Sequence, residues 1–209
     1  MALEDWSKGS FTAATYTRDT YRKGSGPVVI VVHEIPGITP AVERFANDVV
    51  NAGFTVVMPD LVGTPGKDVS GAYLASSMFK VCISKEFTNM ALNKTSPIIS
   101  WLRALARSLH QEVGGKGVGA VGMCFSGGFA LGMMVDDIMI APVLSQPSLP
   151  FAVGRPVVQT STCLQTMPRL LPSAQPADVR YLVCDLTKTS WSVTDSHRWH
   201  HCLAIHLLR

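Results

Sequence analysis

The 209-residue chain predicts an α/β fold in which a mostly parallel sheet carries helices on both faces. Three observations predict it. Val28 to Val32 and Phe54 to Met58 are short, unbroken apolar runs rich in β-branched residues, the pattern of strands buried on both faces. Stretches with apolar residues at helical spacing alternate with those runs. Val118 to Gly128, Val-Gly-Ala-Val-Gly-Met-Cys-Phe-Ser-Gly-Gly, reads as a strand that stops in a sharp turn and opens directly into a helix.

Taken in order, Phe11 to Thr17 alternates weakly and carries Thr and Tyr, which predicts an early antiparallel strand or hairpin arm. Lys23 to Pro27 is a loop, and the buried strand Val28–Val32 follows. Thr39 and Pro40 are suited to the N-cap and first position of a helix. Val42, Phe45, Ala46, Val49 and Val50 give that helix an apolar face, and Gly53 ends it. After the strand Phe54–Met58, residues 61–74 carry Gly63, Pro65, Gly66 and Gly71 and read as loop. A helical stretch is expected between Tyr73 and Asn93. A stronger helix opens at Ser96-Pro97, with Ile98, Ile99, Trp101, Leu102, Leu105 and Leu109 on its apolar side. Lys116–Met123 and Ile138–Leu144 are the strands on either side of the turn at residue 124, and Asp178–Cys184 is a further short one. No repeat or low-complexity segment interrupts the pattern.

The turn at Cys124 carries the chemistry. Glycines flank it because the backbone is strained there and the helix must lie close to the strand. Such a turn lifts its side chain to the carboxyl end of a sheet, with the first helical N–H groups behind it. A helix start favours the charged form of a thiol, and the Phe125 N–H is placed to hold an oxyanion. Cys124 therefore reads as a nucleophile. The plainer reading is one more buried cysteine. Against it stands His33-Glu34-Ile35-Pro36-Gly37, the loop after the strand Val28–Val32. In an α/β-hydrolase layout that loop supplies the second oxyanion N–H, here from Ile35. Two loops at the carboxyl ends of two strands, one with a thiol and one with a carboxylate, make a site.

Here the chain resembles the dienelactone hydrolases of the α/β-hydrolase fold. The resemblance rests on Val28–Gly37 with its His-Glu-x-x-Gly loop, Ala46–Leu61 with Gly53-Phe54-Thr55-Val56-Val57-Met58-Pro59-Asp60, the elbow Gly119–Gly128, and Ala141 to Pro150. It runs from about residue 10 to about residue 154 within one domain, residues 1–209. The resemblance implies that Cys124 attacks a lactone carbonyl, that Glu34 interacts with the thiol, and that a His and an Asp complete a triad. Ser126 stands where a second glycine is common in the family. One position into the helix, its hydroxyl points away from the elbow tip, so Ser126 is not the expected nucleophile. Carboxylate next to thiolate is destabilised, so one of the pair should stay protonated until substrate arrives. Glu34 would then keep Cys124 a thiol at rest. His33 is expected to pack and hydrogen-bond behind the oxyanion loop. Arg103 and Arg107 cannot be assigned to the anionic group of a family substrate.

Composition bounds the alternatives. An apolar content of 47% with 16% charged residues describes a globular chain. No apolar run reaches the ~18 residues of a membrane span, and Met1-Ala-Leu-Glu-Asp lacks the basic and apolar regions of a secretory signal. Five cysteines without metal-ligand spacing argue against a zinc site or a disulfide framework, and a reducing cytoplasm suits a thiol nucleophile. No metal or organic cofactor is implied. Residues 1–154 balance twelve basic against twelve acidic residues, and the net +3 comes from residues 155–209, with six against three. Those basic residues are scattered singly, which does not make a nucleic-acid surface. Oligomeric state is not readable.

After Gly154 the chain changes character. All seventeen glycines lie at or before Gly154 and all eight phenylalanines at or before Phe151, and the last 55 residues hold no Glu or Asn. Ordinary usage would put roughly four glycines in a segment that long. Four of the six histidines fall in the last 13 residues. Asp185 follows a strand-like run and is a candidate acid. His197, His200 and His201 are candidate bases, yet only 12 to 16 residues further on, too close for the helix the family places between acid and base. The tail reads as a replacement of the family's own C-terminal segment, such as a shifted reading frame would give. Three functions stay open: a hydrolase cleaving a lactone or small ester through a Cys124 thioester, an impaired pseudo-enzyme or binding protein on the same fold, and a redox-sensing thiol protein.

Overall fold

The computed structural model describes residues 3–82, 97–145 and 182–183. Its elements are β1 (Ser7–Ala13), β2 (Tyr16–Lys23), β3 (Val28–Val32), α1 (Pro40–Asn51), β4 (Thr55–Pro59), α2 (Gly71–Cys82), α3 (Pro97–Val113), β5 (Val118–Met123), α4 (Gly127–Met133), β6 (Met139–Ser145) and β7 (Leu182–Val183). The strands form one sheet in the order β1-β2-β4-β3-β5-β6-β7. β4, β3, β5, β6 and β7 run parallel, and the β1–β2 hairpin is added antiparallel at the β4 edge.

Alternation along the strands divides the apolar residues into two layers. Val29 and Val31 of β3, Val56 and Met58 of β4, and Val121 and Met123 of β5 pack with Val42, Phe45, Ala46 and Val49 of α1. Val28, Ile30 and Val32, Val57, and Val118 and Ala120 face the other way, onto Ile98, Trp101, Leu102 and Leu105 of α3 and Phe129, Ala130 and Met133 of α4. Strands buried on both faces cannot alternate with polar residues, which is why β3, β4 and β5 read as continuous apolar runs. α1 starts as its sequence requires, with the Thr39 hydroxyl accepting the Val42 N–H at 3.4 Å and Pro40 in the first turn. Trp101 is fully buried, donates its indole N–H to the Phe11 carbonyl at 3.2 Å, and meets the Phe11 ring edge-on, so it locks the hairpin to α3.

An early antiparallel strand or hairpin arm is expected over Phe11–Thr17, and the structure has a hairpin of two strands. The chain reverses at Ala14-Thr15, both at positive φ (48° and 70°). The second, β2, is Tyr-Thr-Arg-Asp-Thr-Tyr-Arg-Lys. It pairs β1 on one side and β4 on the other, so backbone hydrogen bonds rather than an apolar face define it. The helix expected between Tyr73 and Asn93 begins at Gly71, and α2 is described as far as Cys82. Of the short strand expected over Asp178–Cys184, the described part is β7, paired parallel to β6. Asp185, His197, His200 and His201, and the rest of the tail from residue 155, lie outside the described residues.

Candidate active site

β3 and β5 are parallel neighbours, and Val32 is the register partner of Gly122. Glu34 and Cys124 therefore stand two residues beyond the same rung of the ladder, on strands ~4.8 Å apart. Ile35 and Phe125 stand three beyond it. The four residues singled out in the sequence thus converge at the carboxyl edge of the sheet.

The backbone at the elbow is a strand, one left-handed residue and a helix. Met123 is extended, at φ −114° and ψ 131°; Cys124 has φ +54°; a single 3-10 turn, Cys124–Ser126, leads into α4. Cys124 is half-buried. Gly122 makes the turn possible. A Cβ there would meet the Ser126 carbonyl oxygen at 2.5 Å and the Gly127 Cα at 2.9 Å, both backbone atoms that cannot move aside. Ser126 is buried, with its Oγ accepting the Met123 N–H at 2.8 Å. Its hydroxyl proton lies between the carbonyls of Val32 and Met123, each at 2.9 Å. Ser126 thus ties the last residue of β3 to the last residue of β5, which is a bracing role and accounts for a serine at this position.

On the other side of the site, His33 is fully buried. The Leu61 N–H points at His33 Nε2 at 3.1 Å, so Nε2 carries the lone pair and Nδ1 carries the proton. Nδ1 donates it to the Glu34 carbonyl at 2.8 Å. Burial pushes the imidazole down to about 4, a fall only partly opposed by that hydrogen bond. The neutral ring bridges the end of β3 to the chain just after β4. The Glu34 carbonyl also accepts the Gly37 N–H at 2.9 Å, closing a tight turn. The Glu34–Ile35 peptide is trans, so its N–H points opposite to its carbonyl. Anchoring the Glu34 carbonyl on His33 and Gly37 therefore aims the Ile35 N–H away from them.

The Glu34 side chain is half-buried, and loss of hydration raises its carboxyl above the ordinary glutamate value. A second acid at this edge, Asp60, follows β4. It is raised by burial and then by the neighbouring charge of Asp19, whose carbonyl accepts the Asp60 N–H at 2.9 Å. Asp60 was not singled out as a site residue, although an acid directly after a buried strand is the same signal that marked Glu34.

Arg103 and Arg107 have another partner. Arg103 holds Asp136 through two hydrogen bonds, at 2.9 and 2.7 Å, and Arg107 reaches both oxygens of the same carboxylate. The Arg103 hydrogen bond is the main cause holding Asp136 below the ordinary aspartate value. Asp136 follows α4, which runs away from the elbow, so this cluster sits roughly 10–15 Å down the molecule. His110, in the last turn of α3, is likewise toward the amino edge of the sheet. Among the described residues no group of His, Cys, Asp and Glu is arranged to hold a metal ion, and no helix is long and apolar enough to cross a membrane.

Comparison with known proteins agrees with this architecture. The model of the dienelactone hydrolase family matches residues 11–145. No curated protein matches the chain. Among solved structures, it is similar to a dienelactone hydrolase-like promiscuous phosphotriesterase from metagenomic libraries, with 19% identity, 80% of this chain and 76% of that chain covered, and a TM-score of 0.54. An epoxide hydrolase of Vigna radiata is similar at 17% identity over 79% of this chain and 47% of that one, with a TM-score of 0.49. A cold-adapted esterase from an Arctic intertidal metagenomic library is similar at 16% identity over 66% of this chain and 58% of that one, with a TM-score of 0.45. The chain spans about half the length of the Vigna radiata enzyme.

Proposed function

The chain belongs to the dienelactone hydrolase family, and we propose that it cleaves a lactone or small carboxylic ester through a thioester at Cys124. The observation that carries this reading is the left-handed Cys124 on its elbow, two residues beyond the rung Val32–Gly122, as is Glu34 on the loop after the neighbouring strand. The Cys124 sulfur attacks the carbonyl carbon while the thiol proton passes to the Glu34 carboxylate. The oxyanion forms toward the N–H groups of Ile35 and Phe125. The C–O bond then breaks as the Glu34 carboxyl returns its proton to the departing alcohol oxygen, and water later hydrolyses the thioester, releasing the carboxylic acid and restoring the thiol. No cofactor enters this sequence, and a reducing, cytoplasmic setting would keep the thiol available. Partners are small molecules, with no role for nucleic acid or a membrane surface.

A second reading is favoured by the histidines. Among the described residues there are two, His33 and His110. The first is held neutral in a structural bridge and the second lies toward the far edge. General acid–base catalysis typically contributes 10²–10⁴-fold, and neither ring is placed to supply it. If none of His197, His200 and His201 supplies it either, acylation outruns hydrolysis of the thioester, as in an impaired enzyme. With p-nitrophenyl acetate we expect a burst of about one equivalent of p-nitrophenolate, a slow second phase, and an acetyl group on the peptide carrying Cys124. Sustained fast turnover would dismiss the impaired reading. An acetyl group found elsewhere, or none, would dismiss the thioester mechanism.

Glu34 as a guard of the resting thiol gives a separate expectation. A carboxylate beside the sulfur opposes thiolate formation. Glu34→Gln should therefore speed alkylation of Cys124 by iodoacetamide at pH 7 by about three- to tenfold. Unchanged or slower alkylation removes that role from Glu34.

A further inference from the structure

We infer that Tyr73 is a positioning residue of this site: its hydroxyl, through two peptide planes joined by a hydrogen bond, sets the direction of the Ile35 N–H. The inference rests on the proposal that this N–H holds the oxyanion. Tyr73 lies in the first turn of α2, almost fully buried, and reaches back between the loops that follow β3 and β4. Its Oη accepts the Thr64 N–H at 2.6 Å and donates to the Pro36 carbonyl at 3.1 Å.

The Pro36 carbonyl and the Gly37 N–H belong to one trans peptide, so fixing the first aims the second. The Gly37 N–H is the donor that closes onto the Glu34 carbonyl at 2.9 Å. The Glu34 carbonyl and the Ile35 N–H belong to a second trans plane, that of Glu34–Ile35. Tyr73 thereby holds one plane, which holds the other, and the turn Glu34–Gly37 is pinned at both ends: by His33 at its start and by Tyr73 at its close. Both rings tie it to the same stretch, Leu61–Thr64. Gly63 makes the approach possible, because a Cβ there would collide with the Pro36 carbonyl oxygen and the Tyr73 hydroxyl. Tyr73 is itself set by the start of α2. Ser70 caps it, accepting the Tyr73 N–H on its hydroxyl at 3.3 Å and the Leu74 N–H on its carbonyl at 2.8 Å.

A group that only aims an oxyanion donor should matter to attack on a carbonyl and not to attack on an alkyl halide. Both reactions use the same sulfur, but only the first develops a negative oxygen. In acetylation a C–S bond forms, the ester C–O bond breaks and p-nitrophenolate leaves. In alkylation by iodoacetamide a C–S bond forms and iodide leaves. Tyr73→Phe should therefore slow acetylation of Cys124 by p-nitrophenyl acetate about ten- to a hundredfold, while alkylation at the same pH stays within about twofold. Ser70→Gly, an exposed change that loosens the start of α2, should give a smaller loss in the same ratio, and it carries the comparison alone if Tyr73→Phe does not accumulate as folded protein. An unchanged ratio overturns the inference, whether both rates hold or both fall together. Failure of the wild-type protein to acetylate at Cys124 would instead overturn the proposed mechanism, and the inference with it.

Discussion

Cys124→Gly should abolish the p-nitrophenolate burst and yet unfold at a higher urea concentration than Cys124→Ala, which abolishes it equally. At most helical or extended positions alanine is the more stable of the two by about 0.5–1 kcal/mol, because glycine loses more backbone freedom on folding. Residue 124 is different. Its φ of +54° places it in the left-handed region. There a Cβ crowds the following carbonyl oxygen at a cost of about 1–2 kcal/mol, and glycine is exempt. Alanine keeps that strain and glycine removes it, so the usual order reverses by roughly 1 kcal/mol. The native cysteine carries the same strain, held in place by the Ser126 brace and by the close approach at Gly122. A functional side chain at a strained position is then a stability cost accepted for geometry. Paired urea titrations read the difference directly. If the alanine variant proves the more stable, the elbow residue is not left-handed in solution and the nucleophile assignment loses its structural ground.

Legibility in the sequence followed the range of the interaction. β3, β4 and β5 were readable because burial on both faces leaves an apolar run that needs no partner to be recognised. The start of α1 was readable because Thr39 and Pro40 act within one turn. The elbow was readable because glycine at 122 and a cysteine two residues on describe a local backbone demand. β2 was not, since a strand made of Thr, Arg, Asp, Tyr and Lys is defined by its neighbours' hydrogen bonds. In the sequence Tyr73 marks only the start of an expected helix. Its meaning depends on Pro36, 37 residues earlier, brought near by the order β4-β3-β5. Arg103 and Arg107 had an evident helix but no evident partner, because Asp136 lies beyond a strand and the elbow. His33 falls between these cases. Its structural role was expected from its place beside a buried run, whereas its bond to Leu61 followed only from β3 and β4 being neighbours.

Acidification should cost the protein about 2 kcal/mol of stability by pH 5 through His33 alone. Buried and bonded as a neutral ring, His33 resists protonation until about pH 4, against 6.5 for an ordinary histidine. Between those values the unfolded chain takes up a proton that the folded chain refuses. Protonation then favours the unfolded state, so the contribution is fully present above pH 6.5 and is lost as pH falls through the window. It reaches roughly 3 kcal/mol near pH 4. Glu34 and Asp60 work in the opposite sense. Their carboxyls are raised by burial, so the folded state gains from their protonation, and they offset part of the loss as pH approaches their range. Asp136, held low by Arg103 and Arg107, adds its own loss only below the ordinary aspartate value of 3.8. The upper part of the window, from pH 7 to 5, therefore belongs mainly to His33. His33→Gln should be less stable than wild type at pH 7.5, because the Leu61 N–H and Glu34 carbonyl lose a fitted bridge. It should also lose less stability between pH 7.5 and 5. Urea unfolding at the two pH values tests the stability difference, and long-range ¹H–¹⁵N spectra of the imidazoles test its cause. One ring should keep the signature of a neutral, Nδ1-protonated tautomer at pH 5.5, where solvent-exposed histidines are charged. If every imidazole titrates near 6.5, His33 is not sealed behind the loop, and the Glu34 carbonyl is not anchored in the way the Ile35 N–H requires.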